Sequence, residues 1–246
     1  MDEYYSQILR RFLGKERTGS TKLIDETTRQ SALIAATSQR TSRAAQSAEP
    51  ISRKERARYN GAVRPLEEAA LIAFAKQNGL WISEPDFNKE WADRKIGRGA
   101  EQQVYLSYNG RTVIKVNEGS YHGTWLDYFN RLILHSFLFP STKYTTIGFT
   151  TINDSLAVIT EQTFVVLDRG APRDKVESYL NEHHFVRVKN DDYYNADLGI
   201  ILEDLHDENV FINEKGNLLF IDPVIYLETI DMGLTGKTVF RFPFAM

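Results

Sequence analysis

The 246-residue chain contains no cysteine, which excludes disulfide bonds and thiolate metal sites. It also lacks any apolar run approaching the roughly 18 residues that a membrane-spanning helix requires, so we predict no membrane contact. The amino-terminal stretch Met1–Tyr5 has neither a basic start nor an apolar signal core. Secretion is therefore unsupported, and we expect a cytoplasmic location. The five histidines show no metal-site spacing.

The small net charge of −3 conceals an uneven distribution along the chain. Residues 1–64 carry 13 Lys and Arg against 7 Asp and Glu, a net charge of +6, whereas the remainder carries 17 against 26, a net charge of −9. We interpret residues 1–64 as a basic helical extension that precedes an acidic body. The extension is either a solvated surface or an electrostatic contact with nucleic acid or with the acidic body. Tyr59 is the only aromatic residue among the basic residues at 53–58 and just after them. This gives little support to stacking on the bases of a single-stranded nucleic acid.

Apolar periodicity predicts an α+β organisation. Predicted helices cover residues 5–13, 25–47, 65–77, 121–139 and 172–185, with Pro65 at the start of the third. Predicted strands cover residues 104–106, 111–116, 144–152, 156–159, 185–188, 198–202, 210–212 and 218–221. Asn109-Gly110 indicates a tight hairpin between the first two strands. The apolar triplet 80–82 is expected to anchor the helix before it.

The first candidate binding segment contains two glycines and runs from Ile96 to Tyr105. Gly97 and Gly99 would let backbone amides approach phosphate groups, because no Cβ stands in the way. Val104 would then cover the adenine of a bound nucleotide. An ordinary β-turn is the alternative interpretation.

Lys115 follows this segment within a strand-like sequence. Strand alternation places its side chain on the face opposite Ile114 and Val116. A solvent-facing lysine is the ordinary interpretation of such a residue. The neighbouring motifs instead favour a catalytic lysine that contacts the α- and β-phosphates.

Three polar residues near the carboxyl end have the most specific spacing. Asn209 follows Asp204 by five positions, and Asp222 follows Asn209 by thirteen, with apolar strands between Asn209 and Asp222. A carboxylate, an amide and a second carboxylate around a hairpin can position a hydroxyl and hold Mg²⁺ on phosphates. We assign Asp204 to the acceptor hydroxyl and its proton, and Asn209 and Asp222 to Mg²⁺, which prefers oxygen ligands. The alternative is that these residues cap turns around the hairpin.

The order of these parts resembles the protein-kinase-like superfamily. More narrowly, segments 99–105, 114–117 and 209–211 resemble the serine/threonine/tyrosine kinase domain of polyvalent proteins, which are large proteins of bacterial phages and conjugative elements. The resemblance covers roughly residues 65–230. It implies a kinase-like two-lobed α+β fold over residues 65–246, with an N-lobe at about 91–163 and a reduced C-lobe at about 164–246.

The resemblance also implies a function. ATP and Mg²⁺ would be the cofactors, and the γ-phosphoryl group would pass to a protein or small-molecule hydroxyl acceptor. Glu161 and Thr163 would belong to the hinge whose backbone pairs with adenine, and His206 stands where small-molecule phosphotransferases often carry histidine. The alternative is a catalytically weak, pseudokinase-like module that binds a nucleotide or a partner.

The sequence departs from the kinase pattern at several positions. The glycine segment lacks a third glycine, and Asp222 is followed by Pro223 rather than by phenylalanine and glycine. Only 24 residues follow Asp222, from which we expect a reduced C-lobe. The acidic partner of Lys115 is unassigned, and the candidates are Asp127, Glu118 and Glu101.

Overall fold

A computed structural model describes residues 53–99, 101–165, 170–227, 230–232 and 238–240. The helices predicted at 5–13 and 25–47 lie outside the described residues. The described ranges contain four α-helices and thirteen β-strands, and the strands pair in antiparallel sheets. The described residues form two compact units. The first unit comprises the described residues up to Ile133 together with Lys143–Phe164. The second comprises Leu134–Thr142 and the described residues from Val165 onward.

The first helix begins earlier in the chain than predicted. Helix α1 spans Arg53–Gln77 and contains Pro65 in its interior, so the predicted start at this proline is wrong. A proline inside a helix removes one hydrogen bond and crowds the carbonyl four residues earlier. The helix nevertheless continues, because a row of residues four apart is buried on both sides of the proline: Val63, Glu67, Leu71 and Ala75. The boundary predicted at 64/65 therefore falls within a helix. No helix in the described ranges is long and apolar enough to cross a membrane.

Two further helices belong wholly or partly to the first unit. Helix α2, Glu84–Trp91, was not predicted; the Ser83 hydroxyl accepts the N–H of Asp86 at its start. Helix α3, Trp125–Leu138, begins four residues later than predicted, and the Thr124 hydroxyl accepts the N–H of Asp127 at 3.1 Å. Such caps satisfy N–H groups that have no partner within the helix.

The first unit contains one five-stranded sheet with the order β1-β2-β3-β5-β4. Its strands are β1 Lys95–Arg98, β2 Gln102–Leu106, β3 Thr112–Asn117, β4 Thr145–Ile152 and β5 Ser155–Thr163. The predicted β2–β3 hairpin is confirmed, and Gly110 has the left-handed conformation that this turn requires. The predicted end of β5 at residue 159 is wrong, because pairing with β3 continues to Thr163 opposite Thr112.

Both faces of this sheet are covered by apolar side chains. One cluster contains Phe87 of α2, with Ile114 and Val116 of β3. The other contains residues of α1, α3, β4 and β5, among them Leu71, Trp125, Tyr128, Phe129, Phe149 and Val158, and it includes Leu80, as predicted for the 80–82 anchor. A sheet covered on both sides keeps its strands in a defined register.

The second unit contains helix α4, Arg173–Glu182, and three small sheets. Its strands are β6 Val186–Lys189, β7 Asp192–Asn195, β8 Ile200–Glu203, β9 Val210–Ile212, β10 Leu218–Phe220, β11 Val224–Leu227, β12 Ile230–Met232 and β13 Thr238–Phe240. The four-stranded sheet has the order β11-β8-β7-β6, whereas β9 pairs with β10 as predicted. The ring of Phe220 stacks on Phe139 at a centroid distance of 4.1 Å and also contacts Tyr179. This packing holds the β9–β10 hairpin in place.

Candidate functional site

Three residues predicted to bind nucleotide occupy one row of the sheet in the first unit. Gly97 pairs with Val104, Val104 with Lys115, and Lys115 with Thr160. Directly opposite residues of an antiparallel sheet project to the same face. Gly97, Val104 and Lys115 therefore lie side by side, although 18 positions separate the first from the last.

Lys115 lies on the face predicted from strand alternation. Ile114 and Val116 pack into the Phe87 cluster, whereas the Lys115 ammonium lies 3.3 Å from the hydroxyl of Tyr144, a residue of the other cluster. Lys115 is only 4% exposed, which a solvent-facing strand lysine would not be. Burying an ammonium group is costly unless it has polar partners, so this placement points to a specific role.

The glycine segment forms the tight connection between β1 and β2. Gly97 lies within β1, and the N–H of Gly99 donates to the carbonyl of Gln102 at 2.9 Å. A Cβ at Gly97 would meet no atom within 4 Å, and one at Gly99 would meet only the Gln102 carbonyl, at 3.8 Å. No packing contact in the described structure therefore demands glycine at these two positions, and the space beside the backbone is open.

The predicted hinge residues lie at the end of β5 rather than beyond it. Glu161 still pairs with both neighbours, opposite Ile114 of β3 and Thr145 of β4, and pairing with β4 ends there. Its carboxylate accepts the hydroxyl proton of Thr112 at 2.6 Å. This side chain projects to the Ile114 face, away from the face of Lys115. Thr163 is exposed and closes the strand.

In the second unit, Asp204 follows β8 directly and has a left-handed backbone with φ of +66°. This conformation is uncommon for residues other than glycine, although aspartate adopts it more readily than most. Burial raises the pKa of the neighbouring Asp192 in β7, and the backbone of Asp204 lowers it in part. Strained backbone of this kind is concentrated at functional sites.

The Asp204 carboxylate is held by two side chains of the following loop. The amide nitrogen of Asn209 lies 2.9 Å from the Asp204 carbonyl and 3.2 Å from Oδ2. His206 Nε2 lies 3.2 Å from Oδ1. The N–H of Glu208 donates to His206 Nδ1 at 3.1 Å, which leaves Nε2 facing Asp204 and the Asn209 amide nitrogen, the latter at 3.3 Å. Each carboxylate oxygen thus keeps a lone pair with which it can accept a further hydrogen bond.

Asn209 and Asp222 flank the open end of the β9–β10 hairpin, Asn209 just before β9 and Asp222 two residues after β10. The N–H of Ile221 donates to the carbonyl of Asn209 at 3.0 Å, one residue before Asp222. Because the side chain of Asn209 uses its amide nitrogen toward Asp204, its side-chain oxygen Oδ1 is left to act as a ligand. An amide oxygen and a carboxylate suit Mg²⁺, which commonly completes its shell with phosphate oxygens and water. No group of three or more His, Asp or Glu residues in the described ranges is placed to hold a metal alone.

Residues 65–229, about two-thirds of the chain, match the family described as serine/threonine/tyrosine kinase found in polyvalent proteins. The chain belongs to this family. The predicted resemblance is thereby confirmed, and kinase-type phosphoryl transfer is the activity that the family supports. No curated protein matches the chain. The family range includes every residue assigned above to nucleotide, acceptor or metal.

Sequence reasoning missed several polar residues in or next to the matched range 65–229. Glu67, Arg64 and His122 are buried or half-buried polar groups of the first unit that no motif had indicated. In the helix predicted from Pro65, Glu67 falls in the first turn, a position where acidic residues are common. The main-chain groups that Arg64 and Glu67 bind lie more than 50 positions away in the sequence, so no local signal identifies these two residues.

Proposed function

We propose that the chain is an ATP- and Mg²⁺-dependent phosphotransferase acting on a hydroxyl group of a protein or small molecule. The observation that carries the proposal is the contact of Asp204 with His206 and Asn209, beside the hairpin end that bears Asp222. The two compact units would be the lobes of a kinase-like fold, the second of them reduced. The row of Gly97, Val104 and Lys115 supports nucleotide binding in the first unit.

Each residue has a defined task in the proposed reaction. Lys115 neutralises charge on the α- and β-phosphates, and Asn209 and Asp222 would hold Mg²⁺, which stabilises the charge that develops on the phosphates. Asp204 accepts the hydroxyl proton while the acceptor oxygen bonds to the γ-phosphorus. The bond between that phosphorus and the β–γ bridging oxygen breaks, and ADP leaves.

The test is transfer of label from γ-labelled ATP in the presence of Mg²⁺, compared across three variants. Asp222→Asn should weaken Mg²⁺-dependent nucleotide binding and abolish transfer together, because it removes a metal ligand. Asp204→Asn should leave ATP affinity within a few-fold and lower turnover by roughly 10²–10⁴-fold, the usual effect of losing a positioned proton acceptor. Asp197→Asn, an exposed aspartate in the turn before β8, is the matched control and should behave as wild type.

Two results would count against the proposal. Full transfer by Asp204→Asn would remove the assigned proton acceptor even if the fold is as described. Nucleotide binding without transfer by the wild type would favour the pseudokinase-like module instead. The location of the label, on the protein or on an added small alcohol, distinguishes the two acceptor classes.

A further inference from the structure

Helix α1 is hydrogen-bonded to the segment that follows β3 through one arginine. Arg64 Nη1 donates to the carbonyls of Gly119 at 2.8 Å and His122 at 3.2 Å, and Nη2 donates to the carbonyl of Glu118 at 2.9 Å. Its Nε donates to Glu68 at 3.1 Å, one turn along the same helix. The rigid guanidinium fork thus binds three carbonyl groups of a single short segment.

Two glutamates on the same face of α1 bind the start of α3. Glu67 is completely buried, and its Oε2 accepts the N–H of Trp125 at 2.8 Å. Glu68 accepts the indole N–H of Trp125 at 3.1 Å. Positions 64, 67 and 68 lie three and four residues apart, which places them together on one helical face. A residue from α1 therefore caps the amino terminus of α3 in addition to the local cap at Thr124.

The segment that Arg64 binds, residues 118–122, is closely packed. Gly119 has a φ of +69°, and a Cβ there would lie 2.9 Å from both Arg64 Nη2 and the Trp125 ring. Its N–H donates to the Asn117 side chain at 2.6 Å, and Asn117 is the last residue of β3. Lys115 is two residues further back in the same strand. A continuous set of contacts thus leads from Arg64 to the strand that carries the lysine.

We propose that Arg64 and Glu67 are positioning residues for Lys115, because they fix residues 118–126 and with them the end of β3. The effect on nucleotide rests on the proposed function, whereas the effect on the segment and on Lys115 does not. Helix α1 is in this respect a part of the nucleotide-binding machinery rather than an appendage to it.

The first test is hydrogen exchange of backbone amides in the full chain, comparing wild type with Arg64→Ala, Arg64→Lys and Arg94→Ala. Arg94 stacks on the ring of Tyr108 at 3.4 Å and is the matched control, since it also makes a guanidinium contact in the first unit. Arg64→Ala should speed exchange at residues 118–126 roughly tenfold or more, as expected when several hydrogen bonds to a charged group are lost. Arg64→Lys should give an intermediate value, and Arg94→Ala should match wild type there. Equal exchange in Arg64→Ala and wild type would overturn the proposal.

The second test measures Lys115 itself. Acylation by an amine-reactive ester, quantified by mass spectrometry of the Lys115 peptide, should be faster in Arg64→Ala than in wild type. Glu67→Leu should act in the same direction, whereas Glu67→Gln, which keeps an oxygen acceptor for Trp125, should stay close to wild type. Unchanged Lys115 acylation in both Arg64→Ala and Glu67→Leu would refute the positioning role, whether or not the chain binds ATP.

The third test separates this inference from the proposed function. If wild type transfers phosphate, Arg64→Ala should raise the KM for ATP about tenfold, with Arg64→Lys in between. Faster exchange and acylation together with wild-type KM and kcat would show that the positioning of Lys115 by Arg64 does not serve nucleotide binding, and that part of the proposal would fail. If wild type neither binds nor uses ATP, the proposed function fails, and the acylation result alone decides the positioning of Lys115.

Discussion

The carboxyl group of Glu67 is enclosed in the first unit, and burial raises its pKa from 4.5 to about 7. The amides of Trp125 and Leu126 and the guanidinium of Arg64 oppose this rise, whereas Asp127 adds to it. The folded state holds this proton more tightly than the unfolded chain does. The contribution of Glu67 to stability is therefore present below about pH 4.5 and is lost as the pH rises to about 7.

Glu67→Gln should remove this pH dependence. We expect the variant to be more stable than wild type at pH 8, by on the order of 1–3 kcal/mol, and the difference to shrink at pH 5. The measurement is chemical denaturation of both proteins at the two pH values. The comparison must use the difference between the two proteins, because His122 also makes stability depend on pH. Burial lowers the pKa of His122 to about 3, and Arg131 and Arg64 contribute to this. The stability of both proteins therefore falls as the pH is lowered from about 6.5 to 3. A difference that is equal at both pH values would contradict the assignment.

A second prediction at the scale of single residues concerns Gly97. Since a Cβ there meets nothing within 4 Å, Gly97→Ala should leave the melting temperature nearly unchanged. It should weaken ATP binding if phosphates approach the backbone at this point, because the methyl group would occupy that space.

Gly170→Ala is the contrasting variant. Its Cβ would lie 2.7 Å from the Cβ of Asp207 and 2.8 Å from the Asp207 carbonyl oxygen. It should therefore lower stability by roughly 1–3 kcal/mol, as overpacking does. Thermal melts and ATP titrations of the two variants provide the comparison. Unchanged ATP affinity in Gly97→Ala would argue against a phosphate contact at this glycine.

At the scale of elements, the β4–β5 hairpin depends on two residues with left-handed backbone. Asn153 and Asp154 have φ values of +49° and +64°, as a tight two-residue hairpin turn requires. Asp154→Gly should stabilise the protein by a few tenths to about 1 kcal/mol, because glycine adopts this conformation without steric cost. Asp154→Ala should destabilise it. Denaturant midpoints of the two variants test the turn, and a shift in the same direction for both would refute this account.

The elements that could be predicted from the sequence carry strong local signals. The Asn109-Gly110 hairpin and the β9–β10 hairpin were found because turn residues separate short apolar runs. Strand β7 was missed because Asp192 and Asn195, at its two ends, are typical of turns. The start of α1 was misplaced because a proline usually marks a helix boundary, whereas here tertiary packing outweighs that local preference.

The residues of the candidate site likewise differ in how strongly the local sequence indicates them. Asp204, Asn209 and Asp222 could be proposed as site residues from the sequence because their spacing is short and their residue types are chemically specific. Arg64 and Glu67 were not, since their roles depend on carbonyl and amide groups 54 to 58 positions away. A guanidinium that binds main-chain carbonyls leaves no recognisable residue pair in the sequence. Only the folded chain brings these groups together.

At the scale of the whole molecule, ligand binding should be visible as thermal stabilisation. Millimolar ATP with Mg²⁺ should raise the melting temperature, because a ligand that binds only the native state stabilises it by mass action. A concentration 100 times the dissociation constant corresponds to about 2.7 kcal/mol. The measurement is a melt with ATP and Mg²⁺, with ATP and chelator, and with neither. Asp222→Asn should lose most of the Mg²⁺-dependent shift, and the absence of any shift in wild type would contradict nucleotide binding.

The alignment of Lys115 with Val104 constrains the length of the connection between β2 and β3. Side chains of a strand alternate between faces, so displacing β3 by one residue would turn Lys115 toward Phe87 and bring Ile114 or Val116 to the other side. A single deletion or insertion in the turn at residues 107–111 should therefore be far more harmful than a change of two. The parity of this loop length, more than the identity of its residues, keeps the lysine on the face it shares with Gly97.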